Sequence, residues 1–198
     1  VKMKKDFEEY ITYHTEQSLG YVEKILINSA LVSAQNRNRY YWTNFKIEEL
    51  PKDKGILLKD MLYFDEYFKR PCKVKSGFTM NDNGLIHVAN ATDLGNIHES
   101  AKRVYHQDGK SPTLNTCGGG NLESKVLVTD FLVDIKNNAI NKYETLYYRK
   151  LTPIEYERLQ NVPDNFTSML SKTQRYKCLG NGWTIDVIAH ILKYAFEK

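Results

Sequence analysis

The sequence over residues 149–164 reads R-K-L-T-P-I-E-Y-E-R-L-Q-N-V-P-D, and it contains strong helix signals. Thr152 and Glu155 match a capping box, in which each side chain satisfies the backbone N–H of the other residue. Pro153 stands at the first helical position, where its fixed φ favours a helix and its missing N–H costs nothing. The pattern therefore predicts a helix that begins after Thr152 and ends before Pro163.

Further elements are predicted on either side of this helix. A last helix follows Thr184, because apolar residues recur at helical spacing at Ile185, Ile188, Ile191, Leu192 and Ala195. Near the N-terminus we expect a polar helix over residues 4–16 and two strands, over residues 23–28 and 39–44, that can pair. Between the second of these strands and the capped helix, residues 45–145 contain short strand-like runs separated by turn signals such as Asn83-Gly84 and Asp108-Gly109. The order predicts an α/β part, an inserted β-rich module and a return to helix.

Composition narrows the class of protein. The chain has 198 residues, of which 41% are hydrophobic and 26% charged, which is typical of a globular protein. No apolar run approaches the roughly 18 residues of a membrane span, so we expect no membrane association. The net charge of +4 permits nucleic acid as a partner without requiring it. Cys72, Cys117 and Cys178 form no C-x-x-C pair, so neither a disulfide framework nor a metal site is expected, and a reducing, cytoplasmic setting fits best.

Two segments in the predicted strands and loops contain polar residues suited to contact nucleic acid. Arg37 and Arg39 stand two apart at the start of a strand and so project to the same face, where they can hold a phosphate and a base carbonyl together. Residues 111–120 read S-P-T-L-N-T-C-G-G-G, and their glycines permit a close approach to DNA while hydroxyl and amide groups position phosphates. The alternatives are a solvated polar turn for the arginines and a plain hairpin with a flexible loop for the glycine segment.

A third segment, over residues 178–187, reads C-L-G-N-G-W-T-I-D-V. It indicates a glycine turn that opens a helix, and the N-terminus of such a helix can hold an anion or the polar end of a cofactor.

Together these motifs resemble those of the cytosine-5 DNA methyltransferases. The Q-x-R-x-R strand, the S-P-T-L-x-T-x-G-G-G turn, the R-K-L-T-P helix and the L-G-N-G-W-T turn follow the order of the eighth motif, the target-recognition domain, and the ninth and tenth motifs. The resemblance covers nearly the whole chain and implies its identity as the C-terminal half of such an enzyme. The implied fold class is α/β, a partial Rossmann-like S-adenosylmethionine-dependent methyltransferase domain with an inserted small, mostly β target-recognition domain. The implied boundaries are residues 1–48, 49–148 and 149–198.

The resemblance also implies roles for the residues that match. Enzymes of this family flip the target cytosine out of the duplex, attack it with a cysteine thiolate and methylate it from S-adenosylmethionine. By similarity, Arg39 contacts O2 of the flipped base, Arg37 contacts a phosphate, and Gln35 lies near the site of proton removal. The S-adenosylmethionine pocket is expected to be lined by Asn181, Gly182 and Trp183, with Gly182 in place of the family's usual serine.

The DNA-facing residues follow from the same resemblance. Ser100 lies in the loop whose side chain fills the space left by the flipped base. Double-stranded DNA is the expected partner, and its expected contacts are Arg37, Ser100, Arg103, Thr113, Asn115, Cys117, Gly118, Gly119 and Arg149.

The sequence also departs from the family's pattern. It contains neither the F-x-G-x-G cofactor turn nor the G-x-P-C-Q nucleophile loop nor the glutamate of the E-N-V motif, although residues 1–5 resemble the continuation of that motif. Cys72 is rejected as the nucleophile, because it follows Pro71 without the flanking glycine and glutamine and lies after the arginine motif; a loop cysteine is the plainer interpretation. We therefore expect no methylation by this chain alone, and an upstream methyltransferase half as partner, either a separate chain or residues outside this sequence. A prokaryotic or phage-like cytoplasm is the expected setting. The alternatives are a non-catalytic DNA-binding module and, less favoured, a tRNA-directed relative.

Overall fold

The computed structural model describes residues 4–63, 70–80, 84–118, 121–128 and 146–196, with the backbone alone for residues 71 and 73–80. The helices are α1 (Lys5–Leu19), α2 (Glu99–Lys102), α3 (Pro153–Leu159), α4 (Lys172–Asn181) and α5 (Ile185–Phe196). The strands are β1 (Glu23–Asn28), β2 (Asn38–Thr43), β3 (Arg70–Met80), β4 (Ile86–Ala91), β5 (Arg103–Tyr105), β6 (Lys125–Val128) and β7 (Leu146–Lys150). Residues 1–3, where the resemblance to the E-N-V motif begins, and Gly119 lie outside the described residues.

The two N-terminal strands form an antiparallel pair between two helices. The predicted pairing is confirmed, with Ile25 opposite Tyr41 and Ile27 opposite Arg39. Ile27 is buried in an apolar cluster with Val187 and Ile191 of α5. On the other face, the indole N–H of Trp42 donates to the Thr12 hydroxyl of α1 at 3.0 Å, and Lys24 pairs with Glu8. Alternation along a strand separates these two sets of side chains, so the pair is covered on both faces.

A five-stranded barrel occupies the middle of the chain. The strands close in the order β3-β4-β5-β6-β7. β5 and β6 pair parallel, and the other neighbours pair antiparallel. The barrel interior is apolar, and its buried members include Val88, Val104, Leu127, Leu146 and Tyr148. The predicted β-rich character is therefore present, but its first described strand begins at Arg70. Residues 45–63 contain a 3-10 turn over Leu58–Met61 and no described strand. β7 also continues to Lys150, past the boundary expected after residue 148.

The capped helix α3 joins the barrel to the rest of the chain. The Glu155 N–H donates to Thr152 Oγ1 at 3.3 Å, and the Thr152 N–H donates to a Glu155 carboxylate oxygen at 2.6 Å, so the capping box is confirmed. α3 ends at Leu159, before Pro163 as expected. Its buried Tyr156 and Leu159 belong to a second core with members from the 114–117 loop, β6 and α4.

α4 was not anticipated from the sequence, because its apolar pattern is weak. Only Tyr176, Leu179 and Gly180 are buried along the ten residues, and Ser171 caps the first turn by accepting from the Gln174 N–H at 3.4 Å. The glycine segment therefore closes α4 before α5 begins. The apolar stripe expected on α5 is also only partly correct: Ile191 is buried, whereas Ile185 and Leu192 are exposed.

Over the described ranges, no helix combines the length and apolar character that crossing a membrane requires. The same ranges hold no group of three or more histidine, cysteine or acidic residues arranged to bind a metal ion.

Candidate functional site

One cavity, called the first cavity below, lies beside β2 and α5 and has a volume of about 440 Å³. Two sequence-distant motifs meet there, since β2 and the turn after α4 are separated by more than a hundred residues. The lining residues are Arg37, Arg39, Tyr40, Tyr41, Trp42, Thr43, Asn181, Trp183, Ile188, Ile191 and Leu192. Of these, the β2 residues Tyr40, Tyr41, Trp42 and Thr43 and the α5 residues were not anticipated as site residues. The arrangement combines cationic and amide donors with an aromatic and aliphatic wall.

Arg39 offers donors to this cavity. One guanidinium N–H group donates to the Asn38 carbonyl at 2.9 Å, and no other hydrogen bond of this side chain is found within the described residues. Burial lowers the pKa of Arg39, but a guanidinium stays charged near neutral pH. A partly buried cation with donors to spare can make strong charge-assisted hydrogen bonds to a carbonyl or carboxylate oxygen.

Arg37 is bonded to the backbone around the cavity. Its side chain is buried, and its guanidinium donates to the carbonyls of Leu114 at 3.4 Å, Gly180 at 3.3 Å and Gly182 at 2.9 Å. Burial and the neighbouring Arg39 charge lower the pKa of Arg37 to about 10, so it remains a cation. Arg37 thus holds these segments together beside the cavity that it lines, and its expected contact with a phosphate stays a prediction.

Gln35 lies behind the cavity wall. Its side chain is fully buried and does not line the cavity. Its amide NH₂ donates to the Leu159 carbonyl at 3.1 Å, and its amide oxygen accepts from the Leu114 N–H at 3.2 Å. The structure therefore shows the amide bonded to two backbone groups, and its expected place near a reacting atom stays a prediction.

Of the three tenth-motif residues, two line the cavity and the third forms the turn behind it. Asn181 and Trp183 line the cavity, and 65% of Trp183 is exposed. The Gly182 N–H caps α4 by donating to the Cys178 carbonyl at 2.8 Å, and its own carbonyl accepts from Arg37. A Cβ at position 182 would lie 3.1 Å from that Cys178 oxygen, so the turn is tight where the family carries serine.

The second cavity has a volume of about 220 Å³ and lies where β5 meets the 112–115 loop. It brings together four of the residues expected to contact DNA, namely Ser100, Arg103, Thr113 and Asn115. The Thr113 hydroxyl donates to the Asn36 carbonyl at 2.7 Å, which ties this loop to the arginine strand. The other lining residues, which the sequence did not single out, are Ala101, Tyr105, Pro112, Leu122, Glu123 and Ser124.

Two residues expected at the DNA surface point inward. Arg149 is buried and makes a two-pronged ion pair with Glu155, at 2.5 and 2.8 Å. Cys117 is also buried, with a left-handed φ of 47°, and its Sγ lies 3.3 Å from the Tyr156 hydroxyl. Both side chains stabilise the core beneath the loop, so we no longer expect either to contact DNA. Gly118 is exposed, as a surface contact requires.

The thiol of Cys72 is unsuited to nucleophilic attack. It is buried in the barrel core, and burial together with the Asp93 carboxylate raises the pKa of Cys72 to about 12. A cysteine nucleophile acts as the thiolate, so this geometry agrees with the rejection of Cys72.

The two cavities are joined by a close backbone contact. A Cβ built on Gly180 would lie 2.2 Å from the Asn115 carbonyl oxygen, so only glycine permits α4 to approach the 112–115 loop this closely. Together with the Arg37 hydrogen bonds to Leu114 and Gly182, this contact fixes the wall of one cavity relative to the other.

Comparison with known proteins places these features in a family context. The profile of the family described as C-5 cytosine-specific DNA methylase matches residues 2–197. The orphan methyltransferase M.SPBetaI of Bacillus phage SPbeta is 30% identical over 132 residues, covering 48% of this chain and 30% of the relative. The type II methyltransferase M.Sau3AI of Staphylococcus aureus is 48% identical over 44 residues, covering 22% of this chain and 11% of the relative.

Solved structures show the same α/β fold. The Entamoeba histolytica methyltransferase EhMeth has a TM-score of 0.60 at 20% identity and covers 96% of this chain and 57% of its own length. The Dnmt2 methyltransferase of S. pombe has a TM-score of 0.61 at 15% identity, with coverages of 99% and 64%. The chain thus spans 30% or less of the two curated relatives and under two thirds of these two structures.

Proposed function

Because this chain belongs to the C-5 cytosine-specific DNA methylase family, we propose that it is the C-terminal part of a DNA (cytosine-5)-methyltransferase, which binds duplex DNA and completes the pockets for the flipped cytosine and the methyl donor. One observation carries this proposal. Arg39 lies in one cavity with Asn181 and Trp183, while Arg103 and Thr113 share a second cavity, and both groupings are assembled from segments that are distant in sequence.

In this proposal Arg39 binds the flipped base. Its cationic N–H groups suit the carbonyl oxygen of a cytosine, since a charge-assisted hydrogen bond draws electron density from the ring and favours attack by a nucleophile. Arg37, directly before β2, positions the start of that strand and with it Arg39, because its guanidinium bonds to the backbone of Leu114 and Gly182.

The first cavity also fits part of a methyl-donor site. S-adenosylmethionine joins an aromatic base to a polar amino-acid end, and the cavity pairs the indole of Trp183 and the aliphatic Ile188 with the side-chain amide of Asn181. That amide makes no hydrogen bond to any described residue, so its donor and acceptor groups are available to a ligand. S-adenosylmethionine would supply the methyl group, and Asn181 and Trp183 would hold and orient it. The remaining wall of the site would come from the upstream half.

The nucleophile in this proposal also belongs to the upstream half. The sequence contains no G-x-P-C-Q loop, and Cys72 is protonated in the barrel core at neutral pH. We therefore propose that this chain alone transfers no methyl group and that activity requires a polypeptide carrying the cofactor turn and the cysteine loop.

A mixing experiment tests whether methyl transfer requires both this chain and the upstream half. Transfer of labelled methyl from S-adenosylmethionine to duplex DNA is measured with this chain alone, with the upstream half alone and with both together. We expect transfer only in the mixture, and its loss when Arg39→Ala replaces the wild type. Transfer by this chain alone would overturn the proposed division. DNA binding without transfer in the mixture would favour the alternative of a non-catalytic DNA-binding module.

Binding to DNA is tested separately at the second cavity. If Arg103 contacts a phosphate, Arg103→Ala weakens binding of every duplex and reduces the slope of log affinity against log salt by about 0.9. Lys172→Ala, which removes an exposed cation at the start of α4, is the matched control and should leave both quantities unchanged. An unchanged slope for Arg103→Ala would remove Arg103 from the proposed interface.

A further inference from the structure

The second cavity contains a carboxylate among groups that otherwise suit DNA. Glu123 lines it together with Arg103, Thr113 and Asn115, and about a fifth of the Glu123 side chain is exposed. A carboxylate repels phosphate, so its presence beside Arg103 requires a different explanation from backbone binding.

The segment that carries Glu123 is held rigidly on both sides. The Asn115 side chain donates to the Leu122 carbonyl at 2.7 Å, and the Ser124 N–H donates to the Tyr156 hydroxyl at 3.2 Å. The Lys150 ammonium lies 3.0 Å from Oε2 of Glu123. That oxygen is buried, so the oxygen left to face a ligand is Oε1. The carboxylate is thus fixed in position before any ligand arrives, as specific recognition requires.

Glu123 is ionised at neutral pH. Burial alone would raise the pKa of this carboxyl, but its own backbone N–H and the neighbouring Lys150 and Lys125 together lower it. An ionised carboxylate only accepts hydrogen bonds. The group that meets it must therefore be a donor.

The surroundings select among possible donors. A cation is disfavoured because Arg103 lines the same cavity and Lys150 stands behind Glu123. A neutral group that carries both donors and acceptors matches the combination of the Glu123 carboxylate and the Arg103 guanidinium. Tyr105 and Pro112 supply apolar wall, which suits the edge of a planar ring. Exocyclic amino groups of nucleobases have this character, and carboxylates accept hydrogen bonds from cytosine N4 in the major groove.

We propose that Glu123 is a specificity-determining residue that reads one base of the target duplex by accepting a hydrogen bond from its exocyclic amino group. This inference rests on the proposed function, since it assigns the second cavity to sequence readout within a DNA-binding surface. Arg103 and Thr113 then contact the DNA backbone, and Glu123 determines which base is accepted at one position.

The experiment selects duplexes from a randomised pool with the full chain, using the wild type, Glu123→Gln and the control Glu48→Gln, which removes the same charge from an exposed site outside both cavities. We expect the wild type and the control to enrich the same sequence, with an amino-bearing base at one position. Glu123→Gln should lose or change the preference at that position alone. Base analogues that lack the exocyclic amino group, placed one at a time in the selected duplex, should weaken wild-type binding at least about fivefold at the same position.

The outcomes distinguish base reading by Glu123 from duplex binding by the chain as a whole. If the wild type enriches a sequence that Glu123→Gln enriches unchanged, Glu123 reads no base and the inference is overturned while DNA binding stands. A uniform loss of affinity across all sequences would assign Glu123 a structural role and overturn it equally. Should the variant fail to fold, the analogue series with the wild type decides: no position sensitive to amino-group removal overturns the inference. A wild type that binds no duplex removes the proposed function, and the inference with it.

Discussion

Replacing Gly180 by alanine places a Cβ atom 2.2 Å from the carbonyl oxygen of Asn115 and 2.7 Å from the Thr116 nitrogen. Nonbonded heavy atoms are most favourably separated by about 3.5 to 4.0 Å, so the new atom is more than about 1 Å too close. The colliding atoms are backbone, and no side-chain rotation relieves the overlap. Overpacking of this kind costs about 1 to 3 kcal/mol, and we expect the upper end because α4 or the 112–115 loop must move.

The assay is thermal and urea unfolding of Gly180→Ala beside the wild type. A loss of about 3 kcal/mol corresponds to a fall in Tm of roughly 6 to 12 °C for a chain of this size. Gly118→Ala is the matched control for stability, because its Cβ would meet nothing nearer than 3.9 Å and its φ is not left-handed. That control should unfold within about 0.5 kcal/mol of the wild type.

DNA binding distinguishes the two ways in which the overlap can be relieved. If the loop moves away and α4 stays, stability falls less but affinity for duplex DNA falls, since Thr113 and Asn115 are displaced from the second cavity. A Gly180→Ala variant that unfolds like the wild type and binds DNA equally well would refute the close contact between α4 and the loop.

Three further predictions concern stability and thiol chemistry. Glu155→Gln removes the buried carboxylate that makes a two-pronged ion pair with Arg149, so the free energy of unfolding should fall by about 3 to 5 kcal/mol in urea titrations; a fall below about 1 kcal/mol would contradict this. Iodoacetamide at pH 8 should modify the exposed Cys178 and spare Cys72, as peptide mass mapping will show; early labelling of Cys72 in folded protein would be inconsistent with its burial. Burial lowers the pKa of Lys125 from 10.5 to about 8. Between pH 8 and pH 10 the unfolded chain therefore binds more protons than the folded chain, and the free energy of unfolding should rise with pH. This rise should be smaller in Lys125→Met, and an equal rise in both proteins would argue against the pKa shift.

Local chemistry allowed several elements to be predicted from sequence. Thr152, Pro153 and Glu155 predict the start of α3 because a capping box is satisfied within four consecutive residues. The two N-terminal strands were predicted because their residue types favour extended backbone, and their pairing needs only a short connection. α4 was not predicted, because few of its residues are buried and its helix is stabilised by a cap at Ser171 and by packing of Tyr176 and Leu179.

The family motifs, their order and the residue types available for chemistry can be read from the chain alone, because they depend on spacing along it. Which of those residues face a cavity depends on how the chain folds. Arg37 directly precedes β2 and Arg39 lies two residues further on, yet Arg37 bonds to carbonyls from residues 114, 180 and 182, whereas Arg39 keeps donors free of described partners. Arg149 likewise turns inward because Glu155, in the first turn of α3, supplies a buried counter-charge. Burial and partner choice depend on segments brought together by folding, so the exposure of a charged side chain cannot be determined from local sequence.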